Sequence, residues 1–202
     1  MKKGMLLMGI VFIFVALGVV ILNIYPLIHE GFVIIVPEVS KSTEPYDSQW
    51  RIVVNGLIRH VMNLSLEGIA AMPRNSVSSE LYCLPFPGSS GVLVDSGNWT
   101  GVRLGYILEK AEISPEAVKI AFYAEDSFTT DLTITTAMRE DIILAFEKDG
   151  KPLPEKLRLV APEMWGYKWI KWLIQIEVMD YDFRGRYESR GFPDDIEILE
   201  QD

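Results

Sequence analysis

Val77 to Gly91 reads VSSELYCLPFPGSSG. The first seven residues, Val77 to Cys83, have the composition of a β-strand. The next eight, Leu84 to Gly91, form a loop by their proline and glycine content. A strand therefore delivers Cys83, the only cysteine of the chain, to the base of a loop. With no second cysteine there is no intramolecular disulfide, so the thiol is either a small buried side chain or one kept for its chemistry.

Working outward, Trp50 to Asn55 (WRIVVN) alternates and stops at Gly56, which reads as a strand and a turn. Ser65 to Met72 reads as a short capped helix closed by Pro73. Val102 to Ala111 places apolar residues at 102, 104, 107, 108 and 111, which is helical spacing. Val118 to Ala124, Asp141 to Phe146, Leu157 to Ala161 and Ile170 to Met179 read as strands. Lys148-Asp149-Gly150-Lys151 is a hairpin turn, because Asp-Gly readily takes the left-handed torsions such turns require. Short strands with brief helices between them predict a β-rich, mixed α+β domain.

Ahead of that domain, Met5 to Ile24 holds no charged residue and only one strongly polar one, Asn23. A hydrocarbon core of about 30 Å takes about 20 such residues in a helix. Lys2 and Lys3 precede the run and no Lys or Arg follows until Lys41, a bias that keeps the N-terminus cytoplasmic. A cleaved signal peptide is the competing reading; its apolar core is shorter, about 7–15 residues, and is followed by small residues. The sequence thus predicts a single-pass anchor over 1–26 in the cell membrane and a juxtamembrane linker over 27–49. An extracytoplasmic domain over 50–193 and an acidic tail over 194–202 follow. The formal charge of −9, more negative still without Lys2 and Lys3, repels nucleic acid and argues against it as a partner.

Several chemistries are excluded by absence. His29 and His60 are the only histidines, and neither has a second ligand at zinc spacing. No nucleophile elbow, Walker A loop or dinucleotide fingerprint occurs. His60 reads as a surface or hydrogen-bonded histidine.

Taken in order, the segments resemble the molybdopterin-binding domain of the sulfite oxidase superfamily. WRIVVNGLI (50–58) resembles its opening strand, and NLSLEGIAAMPR (63–74) its L-T-L-E-D-L-x-x-L-P segment. SSELYC (78–83) and NWTGVRLGYIL (98–108) resemble the cysteine strand and the W-x-G-V-x-L helix start. AEDSFTTDL (124–132) is similar to A-x-D-G-Y-x-x-x-L, and LAFEKDGKPLP (144–154) to L-A-Y-E-x-N-G-x-P-L-P. LRLVAP (157–162) and GYKWIKWL (166–173) complete the series, which runs from Trp50 to about Phe192.

The resemblance implies that Cys83 is a molybdenum ligand within a molybdopterin cofactor. A soft thiolate suits a metal already held by dithiolene sulfurs, and a bound metal keeps the thiol ionised. Lys168 and Lys171 fall in the family's G-x-R-x-x-K-W segment, which holds the cofactor's phosphate. Lys171 matches the lysine, and Lys168 replaces the arginine, losing its bidentate fork. Asp126 matches the family aspartate and either caps a turn or accepts bonds from the pterin; Ser127 departs from the usual glycine. Trp99, Trp169 and Trp172 read as core.

Two departures bear on substrate. The tyrosine that lies beside the metal in animal and plant sulfite oxidases is Phe146 here, and residues 84–98 contain no basic residue for an oxyanion. Together they predict a membrane-anchored molybdopterin oxidoreductase acting on a small substrate other than sulfite, such as a sulfoxide or N-oxide. Arg74 and Arg103 are the candidates for restoring oxyanion binding from elsewhere in the fold. The chain has no haem-attachment motif and no iron–sulfur cysteine set, so a separate membrane cytochrome or quinone-linked subunit is expected to exchange electrons with it. The alternative is a binding module that keeps the fold without an active metal.

Overall fold

The computed structural model describes residues 12–15, 18–21 and 49–194. The N-terminal unit is described only as a short antiparallel pair, β1 (Phe12–Val15) with β2 (Gly18–Ile21). The rest of the run expected to span a membrane, the linker to residue 48 and the tail from 195 lie outside the described residues. Among the described residues no helix is long and apolar enough to cross a membrane.

In the second unit, β3 (Arg51–Gly56) and β4 (Met62–Ser65) pair antiparallel. Alternation on β3 turns Ile52 and Val54 inward, as period-two patterning requires. Ser65 then caps α1 (Leu66–Ala70), its side chain accepting a hydrogen bond from the Gly68 N–H. β5 (Arg74–Cys83) and β6 (Val92–Arg103) form a long hairpin whose far end pairs Cys83 with Val92. Helix α2 (Leu104–Ala111) buries Leu104, Ile107, Leu108 and Ala111 along one face. The expected helix over 102–111 thus starts two residues late, because Val102 and Arg103 are still tied to β9 (Ile143–Lys148).

β7 (Lys119–Ala124) and β8 (Thr129–Thr133) form the next hairpin, followed by α3 (Ile134–Ala137). β9 turns into β10 (Lys151–Pro152) through Asp149 and Gly150, with φ of 51° and 72°, the torsions expected of Asp-Gly. β11 (Arg158–Val160) pairs with the first half of β9. A 3-10 turn at Gly166–Lys168 leads to β12 (Leu173–Met179), three residues shorter at its start than expected.

Two five-stranded sheets result. One runs β4-β3-β12-β7-β8, antiparallel except for parallel β3 and β12; the other runs β10-β9-β6-β5, with β11 also on β9. Both feed one large core that includes Ile52, Val102, Phe122, Leu144, Phe146 and Ile176. Leu84, Trp165 and Tyr167 form a smaller cluster under the loop that follows Cys83. This sheet-rich mixture of strands and short helices agrees with the predicted fold class.

Candidate active site

Cys83 sits at the last position of β5, where the strand hands over to the 84–91 loop. Its sulfur opens on a cavity of about 560 Å³. β6 brings Val94 and Asp95 to the wall, the turn after β7 brings Asp126, and β11 brings Arg158. The 3-10 turn and the residues after it add Gly166, Tyr167, Lys171 and Trp172, and the C-terminal segment adds Tyr187. Residues far apart in sequence converge here because the β5–β6 hairpin and the β11–β12 connection approach each other at this end.

That approach is close. A Cβ on Gly166 would collide with the Cys83 sulfur, the Leu81 side chain and the Tyr82 carbonyl, so only glycine lets the turn lie against the thiol. The Gly166 N–H is near enough to favour the ionised sulfur. Burial pushes the Cys83 thiol above its ordinary range, while Arg158, Lys171 and the Gly166 N–H pull it back only in part. The isolated thiol is therefore protonated at neutral pH and needs a metal to become a permanent anion.

Arg158 was not singled out by sequence, although a charged residue inside the apolar strand LRLVAP was the available signal. It is 3% exposed, donates to Glu155 at 3.1 Å and to the Trp169 carbonyl at 3.2 Å, and lies 4.9 Å from the Trp99 ring centroid. Its Nε is buried with no protein partner. Lys171 is exposed at the cavity wall.

Asp126 also lines the cavity, and one of its oxygens accepts from the Phe128 N–H in a turn. The next residue, Ser127, takes φ 66°, left-handed backbone that a glycine adopts without strain. The turn-capping role is thus observed.

Lys168 is placed elsewhere. Its ammonium is buried and held by Glu188 at 2.8 Å, Asp194 at 2.9 Å and Asp131 at 3.4 Å. Lys119 joins the same cluster, 2.7 Å from Asp131 and 2.6 Å from Asp194. Burial opposes these charges, yet the carboxylates hold both lysines above their ordinary range. Lys168 is among neither the residues lining the cavity nor those acting on Cys83. Phe146 is likewise absent from the wall and fully buried in the core, with Arg74 5.1 Å from its ring centroid. Of the two candidate oxyanion residues, Arg74 pairs with Glu147, and Arg103 pairs with Glu109 and Glu140. Trp99 and Trp169 are core residues in edge contact, as expected, although Trp169 also reaches the cavity wall; Trp172 is 39% exposed and lines it too.

Fold and cavity together define a site of one thiol and two cations suited to an anionic, sulfur-rich metal cofactor. Residues 37–187 match the family described as oxidoreductase molybdopterin binding domain, and the chain belongs to it. The chain is 31% identical over 172 residues to "Uncharacterized oxidoreductase YuiH" of Bacillus subtilis, covering 83% of this chain and 80% of that protein. It is 25% identical to the mitochondrial sulfite oxidase of Drosophila melanogaster, covering 64% of this chain but only 27% of that longer protein. Among solved structures, the sulfane dehydrogenase SoxCD of Paracoccus pantotrophus shares the fold with a TM-score of 0.59. The two are 22% identical, over 66% of this chain and 39% of that one.

The chain is therefore an oxidoreductase whose family cofactor is molybdopterin, and its residues fit that group. A half-buried soft sulfur faces a cavity with two cations, one of which, Arg158, carries a buried N–H donor that the protein leaves unmatched.

Proposed function

We propose that this chain is a membrane-anchored molybdopterin oxidoreductase that acts on a small, neutral or weakly charged substrate. One observation carries the reading: the only thiol of the chain shares a cavity with Arg158 and Lys171. When bound, the cofactor supplies two-electron or oxygen-atom-transfer chemistry, and the protein supplies binding, orientation and electrostatics. Cys83 ligates the metal, Arg158 and Lys171 hold the cofactor's anionic groups, and Asp126 accepts from the pterin. Lys168 is spent on its three carboxylates and is not assigned to the phosphate.

The substrate reading follows from charge. Two carboxylates, Asp95 and Asp126, line the cavity, while the loop after Cys83 brings no cation. Asp95 is partly buried, yet the Lys148 ammonium and the Ser96 N–H hold its carboxyl below the usual range, so it is negative at neutral pH. Arg74 and Arg103 are engaged with glutamates. An oxyanion such as sulfite would lie near these carboxylates with only Arg158 and Lys171, already assigned to the cofactor, to balance it, a cost of several kcal/mol in a desolvated site. Sulfoxides and N-oxides carry no such penalty.

The N-terminal apolar run anchors the chain with the domain on the extracytoplasmic side, where a separate membrane cytochrome or quinone-linked subunit exchanges electrons with it. Steady-state kinetics of the metal-loaded protein with an artificial electron carrier tests the substrate reading. Reduction of small sulfoxides should exceed sulfite oxidation in kcat/KM; sulfite turnover saturating at the low end of ordinary KM values, about 1 μM, would overturn it.

A further inference from the structure

The 3-10 turn and the C-terminal segment each bring a phenol to the cavity, and only one of the two hydroxyls is satisfied. Tyr167 and Tyr187 are stacked, with ring centroids 5.6 Å apart and planes 7° from parallel, and both line the wall. The Tyr167 hydroxyl donates to the Pro193 carbonyl. Among the described residues the Tyr187 hydroxyl makes no hydrogen bond, and its half-buried side chain lines the cavity.

The ring is nevertheless fixed. Phe192 meets it edge-on at 4.8 Å, and Phe128 lies against it at 5.7 Å. The next residue, Glu188, is buried between Lys168 at 2.8 Å and the Thr130 hydroxyl at 2.7 Å. A side chain held on three sides by aromatic rings, with its backbone locked at the following residue, presents one donor at a set position. An O–H held this way loses little further entropy on meeting an acceptor.

We propose that Tyr187 is a substrate-orienting residue whose phenolic O–H donates to the oxygen of a neutral S-oxide or N-oxide bound in the Cys83 cavity. The assignment rests on the neutral-substrate reading above. It also gives Lys168 a purpose, since that ammonium anchors the segment on which Tyr187 sits. Asp95 cannot take this part, because its carboxyl is held ionised and an ionised carboxylate only accepts.

The test compares metal-loaded wild type with Tyr187→Phe, which keeps the ring and its stack and removes only the hydroxyl. Dimethyl sulfoxide serves as substrate, and dimethyl sulfone as a probe that binds without turnover, followed by tryptophan fluorescence. Losing one neutral hydrogen bond should weaken sulfone binding and lower kcat/KM for the sulfoxide by about 3- to 10-fold, with molybdenum content unchanged. Equal affinity of the two proteins for the sulfone overturns the role of Tyr187 and leaves the neutral-substrate reading standing. Loss of molybdenum from the variant also overturns it, because the hydroxyl would then face the cofactor. Wild-type protein that holds molybdenum but binds neither probe overturns the neutral-substrate reading and this proposal with it.

Discussion

At the scale of the residue, the site depends on a glycine as much as on a cysteine. Gly166 lets the 3-10 turn lie against the Cys83 sulfur and offer it an N–H, and a methyl group there would enter the space the sulfur fills. Gly166→Ala should displace the thiolate, lower molybdenum content and alter the charge-transfer absorption. The cost to folding should be only about 1–3 kcal/mol, read from urea unfolding. Unchanged metal content and spectrum would mean that the sulfur is not a ligand. Cys83 was legible because it was the only thiol and ended a strand ahead of a loop. Arg158 was missed because a single arginine in a short apolar strand looks like a solvated edge until its burial is known. Lys168 shows the converse: its position in the motif says nothing of the direction its side chain takes, and it turns towards Asp131, Glu188 and Asp194.

At the scale of the element, those three carboxylates and Lys168 and Lys119 tie the C-terminal segment to β7 and β8. Removing one partner from a buried ionic cluster strands the others, so Lys168→Met should cost about 3–5 kcal/mol in thermal or denaturant unfolding. The cluster also carries a pH signature. Burial raises the Asp131 carboxyl within the cluster, so the signature belongs to Asp194, whose carboxyl Lys119 and Lys168 pull down against burial to about 2, below its unfolded value of about 3.9. A carboxylate depressed on folding stabilises above its unfolded value and loses that contribution as the pH falls through the folded one. The near-ultraviolet circular dichroism of the Tyr167–Tyr187–Phe192 cluster should therefore fade between about pH 4 and pH 2; a signal constant down to pH 2 would contradict the lock. Most elements were visible in the sequence, since alternation and Asp-Gly mark strands and turns directly. β6 was not: its first half is an exposed hairpin arm, and its last residues fall into helical register with α2. β4 and the threonine-rich β8 were too short and too polar to signal alone, and only pairing with β3 and β7 defines them.

At the scale of the molecule, two sheets share a core and meet the C-terminal segment around one cavity, so the chemistry belongs to the topology rather than to any single motif. Family membership was legible because several weak motifs fell in one order. The charge balance around the cavity was not, since Asp95 and Arg158 come from strands distant in sequence. The central claim is that this cavity holds molybdopterin through Cys83. Elemental analysis of the full chain and of Cys83→Ser, both purified folded from a host that makes the cofactor, tests it most directly. The account predicts stoichiometric molybdenum in the wild type and loss of metal or of the thiolate charge-transfer band in the variant. Well-folded wild-type protein without molybdenum, or a variant matching it in both metal and spectrum, would contradict the claim.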